Sequence, residues 1–150
     1  MAPISAPFPS EAFFSELVAR AAAQEDAMVR LGIAELRFGA EIVNQDGTAR
    51  LFGIDFDGYD VASLGEVDEA AYLPEVVVTG PLEVWVEMIE AIEAGGAADP
   101  AHSLNSLTIA GVPLDVRSSD AMGSDKFYRY MGTIQAVFDA AGAKDVEAVV

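Results

Sequence analysis

The chain has 150 residues, with 25 acidic against eight basic ones, a formal net charge of −17 and no cysteine. Without thiols it can form neither disulfides nor thiolate metal sites, and its excess of carboxylates repels nucleic-acid phosphates and anionic membrane surfaces. Yet 52% of the residues are hydrophobic and the mean hydropathy is +0.30. These apolar residues fall in short runs, none near the roughly 20 needed to span a bilayer, so no membrane insertion is expected. The length fits one domain. The sequence opens without a basic flank and apolar core, and together with the lack of cysteine this points to a cytoplasmic protein.

Residues 1–9 carry three prolines and read as an irregular arm. Ser10 is placed to cap a helix, with Glu11 in the first turn where the helix dipole favours a carboxylate. Phe14, Leu17, Val18 and Ala21 recur at helical spacing, and Glu25 falls on the same stripe, so the packed face stops or bends there. From Glu35 the period changes to two. Leu36, Phe38, Ala40 and Ile42 point one way, and Glu35, Arg37 and Glu41 the other, as in a strand with one wet face. Asn44-Gln45-Asp46-Gly47 is a turn that uses glycine for positive φ, and Phe52, Ile54 and Phe56 continue as the second strand of a hairpin. The segment from Asp57-Gly58 to about Glu69 reads as a polar connection.

The β-branched run 75–79 predicts a buried strand, ended by Gly80-Pro81, with proline at the start of the next helix. Leu82, Trp85, Val86, Ile89 and Ile92 share one face of that helix, and Gly95-Gly96 stops it. Leu107-Thr108-Ile109 and then Val112, Leu114 and Val116 predict two further strands. Phe127, Met131, Ile134, Phe138 and Ala141 form one helical stripe, capped by Asp120 or Ser124 and stopped at Gly142. The predicted architecture is α+β, about five strands covered by three or more helices. The domain spans 10–142, between the arm 1–9 and a tail 143–150.

Chemistry-bearing motifs are scarce. The single histidine, His102, has no partners at metal-ligand spacing and no nucleophile-elbow serine, and reads as a loop residue. Asn105 reads as a turn or cap residue before a strand. Lys126 and Arg129 lie off the apolar stripe of the last helix and are expected to be solvated or ion-paired. No glycine-rich phosphate loop is present, so neither a metal nor a cofactor is expected. Catalysis would require a buried carboxyl with a raised pKa, for which Asp55, beside Phe56 in a strand, is the candidate.

Three segments carry a family resemblance. They are the run Val76-Val77-Val78-Thr79-Gly80-Pro81-Leu82-Glu83-Val84-Trp85, the segment Ser103-Leu104-Asn105-Ser106-Leu107-Thr108, and the ending Asp125-Lys126-Phe127-Tyr128-Arg129-Tyr130 with Thr133-Ile134-Gln135-Ala136-Val137-Phe138-Asp139. Together with the element order from Phe14 to Ala141 they resemble the lipid-binding domains of the sterol carrier protein 2 type. The resemblance implies a five-stranded sheet covered by helices, with a hydrophobic tunnel for fatty acids, fatty acyl-CoA or sterols. The chain departs from better-known members in its acidity and in its ending, which is no Ser-Lys-Leu peroxisomal address. The acidity disfavours anionic acyl-CoA and leaves neutral lipids or steroids.

The leading reading is non-catalytic binding and transfer of an apolar small molecule. Its expected lining is Phe38, Phe52, Ile54, Trp85, Ile89, Phe127, Met131, Ile134 and Phe138, with the last helix as its cover. Two alternatives stand beside it. One is an enzyme or accessory subunit acting on a lipid or steroid in the same cavity. The other is a structural, oligomerising domain whose stripes are interfaces, which also allows a homodimer.

Overall fold

The computed structural model describes residues 4–142. The expected tail 143–150 lies outside them, as do the first three residues of the arm. Residues 4–9 form neither helix nor strand, but Ile4 is buried and Phe8 packs edge-on against Phe13, with ring centroids 5.0 Å apart.

Helix α1 (Glu11–Ala23) starts where Ser10 Oγ accepts from the Phe13 N–H, and buries Phe13, Phe14, Leu17, Val18 and Ala21. The chain breaks at Gln24 and continues as α2 (Glu25–Leu31), in which Met28 is buried. The bend falls where Glu25 interrupts the stripe. Strands β1 (Ala34–Val43) and β2 (Ala49–Gly58) form the expected antiparallel hairpin, closed by Asn44 and Thr48 with Gly47 at φ 88°. β3 (Asp60–Glu66) pairs antiparallel with β2. A short helix α3 (Glu69–Tyr72) then crosses to β4 (Val76–Pro81), which lies parallel to β1 and leads directly into α4 (Leu82–Gly95). Pro81 stands at the N-cap position in extended conformation, one residue before the first helical position expected for it, and makes no side-chain cap bond.

The remainder differs from the sequence expectation in two places. Residues 107–109 are not a strand: α5 (Leu104–Thr108) is helical, and β5 (Asp115–Arg117) is the one strand that follows. Leu104, Leu107 and Thr108 lie at i, i+3 and i+4, so helical packing overrides the β-branched bias of Thr108 and Ile109. Ser103 caps α5 on the Ser106 N–H, and the Thr108 hydroxyl donates to the Leu104 carbonyl at 2.6 Å. The fifth strand is instead β3, within the predicted polar connection. Its inward residues include Ser63 and Gly65, which mask the alternation. The second difference is in the last helix, which is two: α6 (Ala121–Arg129), capped by Asp120, and α7 (Met131–Asp139), separated by a break at Tyr130 (φ −100°, ψ 16°) and followed by a 3-10 turn, Ala140–Gly142.

The sheet order is β3-β2-β1-β4-β5. Register places Leu36, Phe38, Ala40, Ile42, Ile54, Phe56, Val76 and Val78 on one face, under α1, α4, α6 and α7. Each large apolar side chain so buried contributes roughly 1.5–3 kcal/mol, and this layer is the centre of the core. The opposite face carries Arg37, Glu41, Asp55, Thr79 and Arg117.

Candidate ligand-binding interior

The nine residues expected to line a ligand meet in one layer. Phe38, Phe52, Ile54, Trp85, Phe127, Ile134 and Phe138 are fully enclosed, Ile89 nearly so, and Met131 partly buried against them. The Phe38 ring lies 6.4 Å from Phe127, nearly parallel, and 6.3 Å from Phe138, edge-on. Trp85 sits 5.8 Å from Phe138, and its indole N–H donates to the Glu41 carbonyl at 3.2 Å, so its polar atom is satisfied within an apolar setting. Phe14 belongs to the same layer: it stacks on Phe52 at 4.6 Å and meets Phe138 edge-on at 6.5 Å. Its place on the α1 stripe was the signal that could have added it. Among the described residues the buried polar side chains are Thr108 and Thr133.

Open space lies around the layer. A hollow of about 590 Å³ separates α2 from the β2–β3 turn, lined by Glu25, Met28, Val29, Asp57, Tyr59 and Val61 among others. A second, of about 420 Å³, opens at the end of the sheet between Leu36, Phe56, Asp55, Asp57, Glu75 and Lys126. A third, of about 410 Å³, lies between Leu73-Pro74-Glu75 and the start of α6 at Ser119, Asp120, Met122 and Gly123. None of these three is bordered by any of the nine interior residues.

Helix α6 is positioned by three contacts. Gly123 approaches the start of β4 so closely that a Cβ would overlap the Glu75 carbonyl oxygen. Lys126 Nζ donates to the Glu75 carboxylate at 2.6 Å. Phe127 enters the core. The other Glu75 oxygen accepts the Arg37 backbone N–H at 3.0 Å. Burial alone would raise the Glu75 carboxyl, but the bonds from Lys126 and the Arg37 N–H, with the charges of both cations, hold it below the usual carboxylate range.

The far face of the sheet is polar and strapped. Arg117 donates to both oxygens of Glu69 at 2.7 Å and to Glu41 at 3.1 Å, and Glu41 also accepts from Thr79. The fork of Arg117 holds the Glu69 carboxyl low. The Tyr72 ring packs on Gly53, where a Cβ would come 3.1 Å from it, and its hydroxyl donates to the carbonyls of Phe38 (3.1 Å) and Ile54 (3.2 Å). Burial raises the Tyr72 phenol far above its ordinary value. Asp55 stands across from Arg37 on this face. Desolvation, then repulsion from Asp57, raises its carboxyl against the pull of Arg37. Asp55 is therefore perturbed, but it points away from the apolar layer.

The remaining singled-out residues have structural partners. His102 Nδ1 lies 2.9 Å from the Asp99 carboxylate, and Arg129 pairs with Asp125. Asn105 is within α5, where its carbonyl accepts from Ile109, rather than ahead of a strand. No cluster of three or more metal-ligating side chains occurs among the described residues, and no helix among them is long and apolar enough to cross a membrane.

A similar arrangement of sheet and helices is found in solved structures. A crystal structure of sterol carrier protein 2 superposes with a TM-score of 0.59, covering 86% of this chain and 93% of that one at 12% identity. The chain has the fold of sterol carrier protein 2. Two further structures match over 89% of this chain: sterol carrier protein 2 from Yarrowia lipolytica in its apo form (TM-score 0.47, 12% identity, 93% of that chain) and a conserved hypothetical protein from Thermus thermophilus (TM-score 0.48, 11% identity, 85% of that chain). No family model and no curated protein matches the sequence. Within this sterol carrier protein 2-like fold, the aromatic layer lies between the five strands and their covering helices, and α6 and α7 contribute Phe127, Ile134 and Phe138 to it.

Proposed function

We propose that the protein binds and transfers an apolar lipid or steroid in the layer between sheet and helices, and catalyses no reaction on it. The observation that carries this reading is the layer itself: Phe14, Phe38, Phe52, Trp85, Phe127 and Phe138 converge in one place, in a fold shared with sterol carrier protein 2. Such a surface recognises hydrocarbon by area and shape, and offers a ligand no acid, base or nucleophile. Asp55, the carboxyl with the chemistry an enzyme would need, faces the other side of the sheet.

The ligand class follows from charge. Both hollows at the strand ends are rimmed by carboxylates, Glu25, Asp57 and Asp60 at one and Glu35, Asp55 and Asp57 at the other. The two cations of the second hollow are engaged, Lys126 by the Glu75 carboxylate and Arg37 by the Leu73 carbonyl. A neutral ligand such as a steroid or fatty alcohol passes these rims more readily than an acyl-CoA. In this reading residues 10–142 form the binding unit of a cytoplasmic carrier that uses neither metal nor cofactor.

The deciding experiment is solvent extraction of the purified protein with mass spectrometry of what co-purifies, followed by titration of the stripped protein with a steroid, a fatty alcohol and a fatty acid. Trp85 is the single tryptophan and touches Phe138, so its fluorescence reports entry into the layer. Saturable Trp85 changes with the neutral ligands are expected. Absence of any saturable change with all three ligands refutes the reading.

A further inference from the structure

Resting on this reading, we infer that α6 alone, rather than the whole C-terminal helical region, is the gate to the interior, pivoting at Tyr130 and latched by Lys126 on Glu75. The interior side chains are shut off from solvent, so a ligand reaches them only when something is withdrawn. α7 is a poor candidate, because it buries Thr133, Ile134, Val137 and Phe138, and α4 buries Trp85, Met88, Ile89 and Ile92. α6 buries Gly123 and Phe127, so a single large side chain anchors it in the core. That side chain stacks on Phe38, at the middle of the layer.

The surroundings of α6 fit the same role. It has open space on both flanks: the hollow of about 410 Å³ at Met122 and Gly123, and the hollow of about 420 Å³ at Lys126. Its hinge is the non-helical Tyr130, where the helical hydrogen bonds hand over: Tyr130 N–H donates to Lys126, and its carbonyl accepts from Ile134. Tilting about this point removes Phe127 from Phe38 while α7 keeps its packing. The latch is polar and lies at the rim: Lys126 on Glu75, with Glu75 fixed in turn by the Arg37 N–H, and Ser118 Oγ lies 2.9 Å from Ser124 Oγ at the far end of the lever. Polar rim contacts of this kind open locally at lower free energy than buried apolar ones.

The chain contains no cysteine, so a double variant Ser118→Cys/Ser124→Cys adds one disulfide and ties the first half of α6 to the residue that follows β5. In the oxidised protein, uptake of a dansylated fatty alcohol is expected to slow by about tenfold or more and to recover on reduction. Lys126→Gln, which weakens the latch without crosslinking, is expected to speed uptake. Hydrogen exchange on the ligand-free wild type provides a readout independent of any lipid. Amides of residues 123–129 should exchange faster than those of 134–138, and the disulfide should suppress the difference. Equal exchange in the two segments overturns the gate, as does unchanged uptake by the oxidised variant. If the wild type takes up no probe while α6 still exchanges faster, the carrier reading fails and the hinge stands.

Discussion

The rings of Phe127 and Phe38 are stacked, with centroids 6.4 Å apart and planes inclined by 12°. This pair joins the segment with the fewest buried side chains among the longer helices to the middle of the central strand. Removing the Phe127 ring leaves a void beside Phe38. Phe127→Ala is expected to destabilise the fold by about 3–5 kcal/mol, read by chemical denaturation. In the same variant, benzene, which matches the lost ring in size, should restore part of that loss, seen as a ligand-dependent rise in Tm.

Tyr72 ties the hairpin from the opposite side. Its one hydroxyl proton is shared between the carbonyls of Phe38 and Ile54, adjacent residues of paired strands. Tyr72→Phe keeps the ring over Gly53 and removes the donor. A loss of about 1 kcal/mol is expected, with no change in ligand affinity, because the apolar layer lies on the other face. A matched pair of denaturation and Trp85 titration curves separates the two effects.

The carboxyls of Glu75 and Asp55 respond to pH with opposite signs. Glu75 is held low in the fold, so its contribution to stability is present above the unfolded value of about 4.3 and is lost as pH falls through the folded one. Glu75→Gln should lower Tm at pH 7, and the difference from wild type should shrink in acid. Asp55 is raised, so its ionised form opposes folding above the folded value, and that penalty fades as pH falls. Asp55→Asn should raise Tm at pH 7 and make little difference in acid. Tm against pH for the three proteins checks both signs.

Gly123 is where α6 rests on β4. A methyl group there overlaps the Glu75 carbonyl, which is backbone and cannot rotate away. Gly123→Ala is therefore expected to displace α6, despite the better helix propensity of alanine. Faster amide exchange in α6 with unchanged exchange in α4 is the expected signature.

The local rules were legible in the sequence. The Ser10 and Asp120 caps, the Asn44–Gly47 turn, the alternation of Leu36 to Ile42 and the stripe of α4 are set by residues a few positions apart, and short-range sterics and hydrogen bonds fix them. The nine interior residues could be named for the same reason, since each is the inward position of a periodic element. The tertiary structure alone decided what depends on distant partners. β3 is a strand because β2 pairs with it, although Ser63 and Gly65 hide its period. Residues 104–108 are helical because Leu104 and Leu107 pack inward and Gln135, from α7, accepts the Leu104 N–H at 2.7 Å. The stripe from Phe127 to Phe138 continues unbroken through Tyr130, so periodicity predicts one helix. The break that makes α6 a separate element arises where the chain turns from its seat on Glu75 to its packing beneath α1, a contact set by residues more than fifty positions away.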